Sequence, residues 1–291
     1  MNNNIKIINK SDGLFPKLLS EIHDPPDRLF FVGELPGADE ICVAIVGARK
    51  ATHYGKAVTR KIVTELVQNG ITIVSGLAYG IDAEAHQATL DAGGKTIAVL
   101  AGGVDQASIS PRANVRLANE IVNARGALVS EHPPGTGSPH YHFPARNRII
   151  AGFCKATIII EATAKSGTMI TARSALSENR DVCAVPGPIT SPLSEGPHSL
   201  IKDGATIVTC TQDILEVIDL TAAHMAADVT RVVPTTESEL ALLNELDHEP
   251  TLVDDLARKM NKPIAEITNT LTLLELKSLV THVGSGCFTK T

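Results

Sequence analysis

The pattern of apolar positions along the chain predicts a doubly wound α/β domain. Seven short runs of mostly apolar and β-branched residues recur, at residues 41–47, 71–76, 96–103, 127–131, 156–162, 181–187 and 205–210. Such runs are typical of strands buried on both faces of a parallel sheet. Helix-length segments lie between most of them, at residues 54–68, 81–92, 111–124, 145–154, 169–178 and 211–218. The alternation predicts an extended Rossmann-like domain over residues 41–220.

The segments on either side of this domain follow other patterns. Residues 1–40, with a Pro-Pro pair and the turn sequence GELPG, predict a lead-in segment. Residues 221–236 are rich in Ala and Thr and predict a linker. Residues 237–291 contain three short amphipathic segments followed by a strand–glycine turn–strand pattern. Three helices and a hairpin in this order predict a small winged-helix domain.

Composition indicates the cellular compartment in which the protein is expected. No apolar run approaches the ~18 residues that a membrane-spanning helix needs. The first residues, MNNNIKIINKSDG, lack the apolar segment of a signal peptide. The five cysteines are scattered, and three of them fall in apolar runs, as small buried side chains do in a reducing compartment. We therefore expect a cytoplasmic protein with no membrane partner.

The distribution of charge changes what the net charge of −6 implies. Residues 41–215 hold 16 basic against 13 acidic side chains, whereas residues 235–291 hold 5 against 9. An anion-binding surface is therefore expected in the α/β domain. The acidic winged-helix domain is expected to contact protein, because reading a duplex requires cations that neutralise phosphates.

Glycine, serine and basic residues follow the predicted strands, where ligands bind in open parallel sheets. Glycine lets backbone amides approach a phosphate, and a helix N-terminus adds partial positive charge. This pattern predicts a phosphate-binding edge, although each glycine alone is also compatible with an ordinary tight turn. The candidates are Gly47, Arg49, Gly76, Gly102, Lys165, Ser166 and Gly167.

In the stretch at residues 130–152, a long Pro/Gly-rich loop presents Tyr141, Phe143, Arg146 and Arg148 and then runs into an apolar helix. Aromatic rings beside arginine are typical of sites that stack single-stranded bases and hold their backbone. The alternative is structural: Phe143 packs in the core, and one arginine pairs with Glu131 or Glu161.

Signatures of catalysis and of cofactors are missing from the sequence. It contains no GxxxxGK[ST], GxGxxG or GxSxG motif. His132, His140 and His142 have no cysteine or carboxylate spaced to complete a metal site. We therefore predict no catalytic residue, no metal and no cofactor.

A series of motifs follows along the chain: VGAR, SGLAYGIDAEAH, AVLAGGVD, SEHPPG, FPARNRIIAG, EATAKSGTMITA, NRDVCAVPG and LIKDGA. In sequence and in order they resemble the motifs of the DNA-processing protein A (DprA/Smf) family. The resemblance implies a homodimeric protein of natural transformation that binds and protects incoming single-stranded DNA and helps to load the RecA recombinase. It also adds Arg112 to the DNA-binding candidates, at a position often basic in the family. Where some members have a lysine before FPARN, this chain has His140.

Two other classes of protein remain as alternatives. Enzymes of the lysine-decarboxylase-like (LOG) family share this fold, hydrolyse nucleotides and carry PGGxGTxxE, with a catalytic glutamate. The corresponding stretch here is AKSGTMITA, with Ile170 and Thr171 where the acid is needed. A nucleotide-sensing module is the second alternative. The residues favour a single-stranded DNA-binding protein that is not an enzyme.

Overall fold

The computed structural model describes residues 5–220, 237–246, 251–276, 280–284 and 286–290. The chain divides into two compact units, Met1–Asp219 and Leu220–Thr291. The linker predicted at residues 221–236 lies outside the described residues.

The first unit is built on a nine-stranded sheet with the strand order β1-β2-β6-β5-β4-β3-β7-β8-β9. Strands β3 to β9 are all parallel, and β2 pairs antiparallel with both β1 and β6. The predicted doubly wound fold class is confirmed. The strands are β1 (Lys6–Asn9), β2 (Arg28–Gly33), β3 (Cys42–Val46), β4 (Thr72–Ser75), β5 (Thr96–Val99), β6 (Ala127–Ser130), β7 (Ala156–Ile159), β8 (Asp181–Ala184) and β9 (Thr206–Ile207).

Helices cover both faces of this sheet, because successive strand residues point to opposite sides. In β5, Ile97 and Val99 belong to one apolar cluster and Ala98 to another. Helices α5 and α6 pack over the first cluster, and α4 packs over the second. The helices are α1 (Lys17–Ser20), α2 (His53–Gln68), α3 (Ile81–Asp91), α4 (Val115–Asn123), α5 (His142–Phe153), α6 (Gly167–Ser177), α7 (Glu195–Lys202) and α8 (Thr211–Val217).

The lead-in segment contributes to the sheet and to its core. Strands β1 and β2 extend one edge, and Phe15, Leu19 and Ile22 join the apolar cluster beneath α5. The approach is close: a Cβ on Gly152 of α5 would lie 2.8 Å from Leu19 Cδ1. Residues 6–33 are therefore packed as part of the first unit.

The strand order reverses between β3 and β7. From β3 the chain builds β4, β5 and β6 in one direction, and then returns to add β7, β8 and β9 on the other side. The loops that leave β3 and β7 therefore lead to helices on opposite faces and diverge. Such a divergence opens a crevice at the carboxyl ends of the strands, which is where α/β sheets bind ligands.

The second unit has the predicted winged-helix content. Its helices are α9 (Glu237–Glu245), α10 (Val253–Met260) and α11 (Ile264–Leu276), and its strands are β10 (Thr251–Leu252), β11 (Val280–Gly284) and β12 (Cys287–Lys290). The strands form an antiparallel sheet in the order β10-β12-β11. Leu242, Leu256, Leu271 and Phe288 meet in its core. None of the helices described in either unit is long and apolar enough to cross a membrane.

Candidate nucleic-acid interface

A cleft of about 540 Å³ opens where the strand order reverses. The loop after β3, residues 46–50, forms one wall. The start of α6, residues 166–168, forms another, and α5 contributes Phe143, Arg146 and Asn147. The cleft thus lies at the sheet edge that the sequence pattern predicted as the phosphate-binding edge.

The N-terminus of α6 faces this cleft. Ser166 is the residue that precedes the helix, and Gly167 and Thr168 form its first turn. The first amides of a helix have no carbonyl partner within it and carry partial positive charge. The Ser166 hydroxyl is buried and has no hydrogen-bond partner among the described residues. The Thr168 hydroxyl donates to the Gly47 carbonyl at 3.1 Å, which ties this turn to the loop after β3. The arrangement suits an anion.

The N-terminus of α2, the other helix that starts at the switch point, is already occupied. The buried carboxylate of Glu161 accepts a hydrogen bond from the Thr52 amide at 2.9 Å and another from the Thr52 hydroxyl. It lies so close that a Cβ on Gly55 would be 2.4 Å from Glu161 Oε2. A carboxylate at this place takes the position where Rossmann dinucleotide-binding proteins hold a pyrophosphate. Of these two helix N-termini, that of α6 is therefore the better candidate for an anion.

Two exposed cations and one aromatic ring complete the cleft. Arg49 and Lys50 are exposed on the loop after β3. The Arg49 guanidinium lies 5.1 Å from the centre of the Phe143 ring, within cation–π range. Phe143 is partly exposed and lines the cleft, so part of its side chain can be reached by a ligand. Lys50 was not a sequence candidate, although it directly follows Arg49.

Arg146 lines the floor of the cleft but is almost completely buried there. Only 6% of this residue is exposed, and its guanidinium donates to the carbonyl of Gly76 at 2.7 Å and to that of Val99. Burial lowers the pKa of Arg146 to about 10 and raises the pKa of the neighbouring buried Asp82, while their opposite charges counter both shifts. Asp82 in turn accepts from the Gly76 amide at 3.2 Å. The pair fastens the ends of β4 and β5.

Gly76 is required by this buried arginine. A Cβ at Gly76 would lie 2.4 Å from a guanidinium nitrogen of Arg146. A side chain there would displace the guanidinium from the two carbonyls it binds. The glycine thus serves the floor of the cleft, and Gly76 itself does not line the cleft.

The remaining candidates lie elsewhere. Gly102 packs against the loop at residues 136–138, and a Cβ on it would lie 2.5 Å from Ser138 Oγ. Arg112 donates to the carbonyls of Gln106 and Ala107 and does not line the cleft. Tyr141 is 73% exposed, and Lys165 is exposed one residue before Ser166; neither lines the cleft. The cleft therefore brings together Gly47, Arg49, Phe143, Arg146, Ser166 and Gly167.

The structural alternative for the arginines is confirmed at Arg148. Its guanidinium donates to both oxygens of Glu131, at 2.7 and 2.8 Å, and lies 3.2 Å from Asp24. This cluster joins α5 to the lead-in segment.

The rings of His132 and His142 stack, with their centres 3.9 Å apart. Among the described residues, no group of three or more His, Cys, Asp or Glu side chains could hold a metal ion.

Fold and site together define a class: a Rossmann-like protein with a cleft at its switch point and a winged-helix domain. Residues 6–219 match the sequence profile of the family described as DNA recombination-mediator protein A, and residues 226–286 match the DprA winged helix domain. The chain belongs to the DNA recombination-mediator protein A (DprA/Smf) family. The family predicted from the motifs is confirmed, and with it the assignment to DNA processing.

Relatives and solved structures agree over most of the chain. Protein Smf of Escherichia coli is 39% identical over 97% of this chain and 77% of its own length. DNA processing protein DprA of Streptococcus pneumoniae is 47% identical over 70% of this chain and 71% of its own. The X-ray structure of the Streptococcus pneumoniae protein has a TM-score of 0.68 and 42% identity, and covers 73% of this chain and 74% of that one. The structure of DNA processing protein A from Helicobacter pylori has a TM-score of 0.65 and 30% identity, and covers 75% of this chain and 98% of that one. That structure is described as giving insight into a unique single-stranded DNA binding mode.

Proposed function

We propose that this protein binds single-stranded DNA in the cleft at the switch point. The observation that carries the proposal is the convergence of three kinds of group on one cleft. The amides at the start of α6 suit a phosphate, Arg49 and Lys50 supply mobile charge, and Phe143 offers a ring face for a base. The single-stranded DNA binding of the Helicobacter pylori relative supports the same ligand class.

The cleft favours an unpaired strand over a duplex. Phe143 lies within a recess, and a base reaches a ring there only if it is free of its partner strand. Backbone amides and two flexible cations contact phosphates and carry no sequence information. Binding is therefore expected to be largely independent of sequence. With one aromatic ring in the cleft, phosphate contacts are expected to contribute more than stacking.

We propose binding without catalysis. Asp82 is the one carboxylate among the described residues that line the cleft, and it is buried beside Arg146. Glu161 is engaged by Thr52 at the start of α2. Ile170 and Thr171 line the cleft where a LOG-type enzyme requires its acid. Neither of these two carboxylates is therefore free to act as a general acid or base in the cleft.

The wider role follows from the family. We propose that the protein protects incoming single-stranded DNA in the cytoplasm, acts as a homodimer and helps to load the RecA recombinase. Residues 237–291 serve as a separate winged-helix domain that contacts protein. On α11 the exposed charges are Glu266 and Glu275, and the hydroxyls of Thr268, Thr270 and Thr272 all donate to the helix's own carbonyls.

A binding assay with three ligands tests the proposal. Fluorescent oligo-dT, a duplex of matched length and thymidine monophosphate are compared at one salt concentration. We expect the oligo-dT to bind tightly, the duplex weakly and the mononucleotide weakest. Equal affinity for the mononucleotide favours the nucleotide-sensing alternative, and release of free base from nucleotides favours the enzyme. Equal or tighter binding of the duplex contradicts the proposal.

A further inference from the structure

Tyr79 is an exposed aromatic ring on a loop that is held rigidly in place. Tyr79 as a whole residue is 50% exposed, whereas Leu77, two residues earlier, is fully buried. The side-chain amide of Asn114 donates to the carbonyls of Leu77 and Ala78, at 2.8 and 3.2 Å. The carboxylate of Asp82 accepts from the Ala78 amide at 3.4 Å. The backbone that presents the ring is therefore fixed before any ligand arrives.

This loop separates the cleft from a second depression, which we call the α3–α4 groove. The groove has a volume of about 630 Å³ and is lined by residues of α3 and α4 together with Lys56 of α2. Ala78 lines the cleft and Gly80 lines the groove, so Tyr79 stands on the ridge between them. Gly80 packs against the loop after β3, where its Cβ would lie 2.2 Å from the Ala48 carbonyl. The ridge thus adjoins the loop that carries Arg49 and Lys50.

The charges in the α3–α4 groove leave one free cation among its described lining residues. Glu84 is paired with Arg60 at 2.5 Å, and Glu120 is paired with Arg116 at 2.8 Å. Lys56 is exposed and makes no ion pair with any residue that the structure describes. The two acids are thereby neutralised, and Lys56 is available for a phosphate. An exposed aromatic ring beside a free cation is the combination that holds single-stranded nucleic acid.

We propose that Tyr79 stacks a base of the DNA strand as the strand leaves the cleft, and that the strand continues into the α3–α4 groove, where Lys56 contacts its backbone. This second subsite rests on the proposed function, since it takes the same strand that the cleft binds. It has no role with a strand too short to cross the ridge.

The chain contains no tryptophan, which provides a direct probe. In Tyr79→Trp the new side chain is the sole indole, and a base stacked on it quenches its fluorescence. Oligo-dT strands of about four and about sixteen nucleotides correspond to the two ends of the range of site sizes known for OB-fold single-strand-binding proteins. We expect the longer strand to quench Tyr79→Trp and the shorter one to leave it unchanged. Tyr54→Trp is the matched control, because Tyr54 is 43% exposed but contacts the Pro186 carbonyl instead.

Affinity gives a second readout that does not depend on the introduced indole. Tyr79→Ala is expected to weaken the affinity for the longer strand by about fivefold to a hundredfold and to leave the affinity for the shorter strand unchanged. Tyr79→Phe keeps the aromatic ring and should therefore keep the affinity for both strands. Lys56→Ala is expected to weaken only the longer strand.

The outcomes separate this inference from the proposed function. If Arg49→Ala weakens binding of both lengths while Tyr79→Ala changes neither, the cleft site stands and the second subsite is refuted. Quenching of Tyr54→Trp instead of Tyr79→Trp places the strand near Pro186 and refutes the second subsite. Equal quenching of Tyr79→Trp by both lengths places the ring within the cleft site and overturns the extended path. If the wild-type protein binds neither length, the proposed function fails and the second subsite fails with it.

Discussion

Replacing the buried Arg146 by methionine should destabilise the first unit severely. The substitution keeps most of the side chain's volume but removes its charge and its hydrogen bonds. It leaves the carbonyls of Gly76 and Val99 without their donor, and Asp82 without its partner. Removing one member of a buried ion pair typically destabilises a protein by about 3–5 kcal/mol, because the other charge stays buried and uncompensated. We expect a loss in this range for Arg146→Met.

A double variant distinguishes the buried charge from the lost hydrogen bonds. In Asp82→Asn/Arg146→Met the uncompensated carboxylate is gone, while an amide oxygen still accepts from Gly76 and Ala78. We expect this variant to be more stable than the sum of the two single changes by about 1–3 kcal/mol, which is the usual range for coupled neighbours. Urea unfolding followed by far-UV circular dichroism measures each free energy.

Arg49→Met is the control for this series. Arg49 is exposed, so its replacement is expected to change the free energy of unfolding by less than about 0.5 kcal/mol. A similarly small effect of Arg146→Met, together with a loss of DNA affinity in the folded variant, would refute the reasoning. Arg146 would then be the phosphate contact that the sequence pattern indicated.

Three further predictions concern stability and the winged-helix domain. Burial, with the charge of Arg146, lowers the pKa of His86 to about 3, so the unfolded chain takes up a proton that the native state excludes. The free energy of unfolding should therefore fall by about 1.4 kcal/mol for each pH unit as the pH drops from about 6.5 towards 3. In urea unfolding at a series of pH values, His86→Gln should make this dependence weaker. Gly80→Ala should destabilise the protein by about 1–3 kcal/mol more than Gly93→Ala, as measured by thermal unfolding. Both glycines have a positive φ, at 77° and 73°, but of the two only Gly80 has backbone atoms within reach of an added Cβ. Truncation after Val233 should leave oligo-dT affinity unchanged, and a large loss in a folded, dimeric truncation would instead place DNA contacts on the winged-helix domain.

The parallel part of the sheet was predictable, but its antiparallel edge was not. Strands β3 to β7 are buried on both faces, so each is a mostly apolar run with no polar–apolar alternation. Strand β1 has a single buried residue, Ile8, and its sequence KIIN carries no run or alternation. Its position is decided by pairing with β2, at residues 28–33, which local pattern does not reveal.

The site was predictable as a region, but less so residue by residue. The helical spacing did contain a signal for Arg146, which lies three and four residues before the buried Ile149 and Ile150 and therefore on the inward face of α5. The sequence analysis instead placed Arg146 among the contacts to the DNA backbone, and its burial differs from that expectation. No local pattern could reveal that Glu161 occupies the start of α2, because its partner Thr52 is 109 residues away.

We propose above all that the exposed cations of the cleft, Arg49 and Lys50, hold the DNA backbone, and that basic residues outside the cleft, such as Arg112, do not. The most direct test measures oligo-dT affinity over a range of salt concentrations for the wild-type protein, Arg49→Ala and Arg112→Ala. Each phosphate contact to a single strand contributes about 0.7 to the slope of log K against log salt concentration. We predict that Arg49→Ala lowers the slope by about this amount and that Arg112→Ala leaves it unchanged. An unchanged slope in Arg49→Ala, with the loss appearing in Arg112→Ala, would contradict the account.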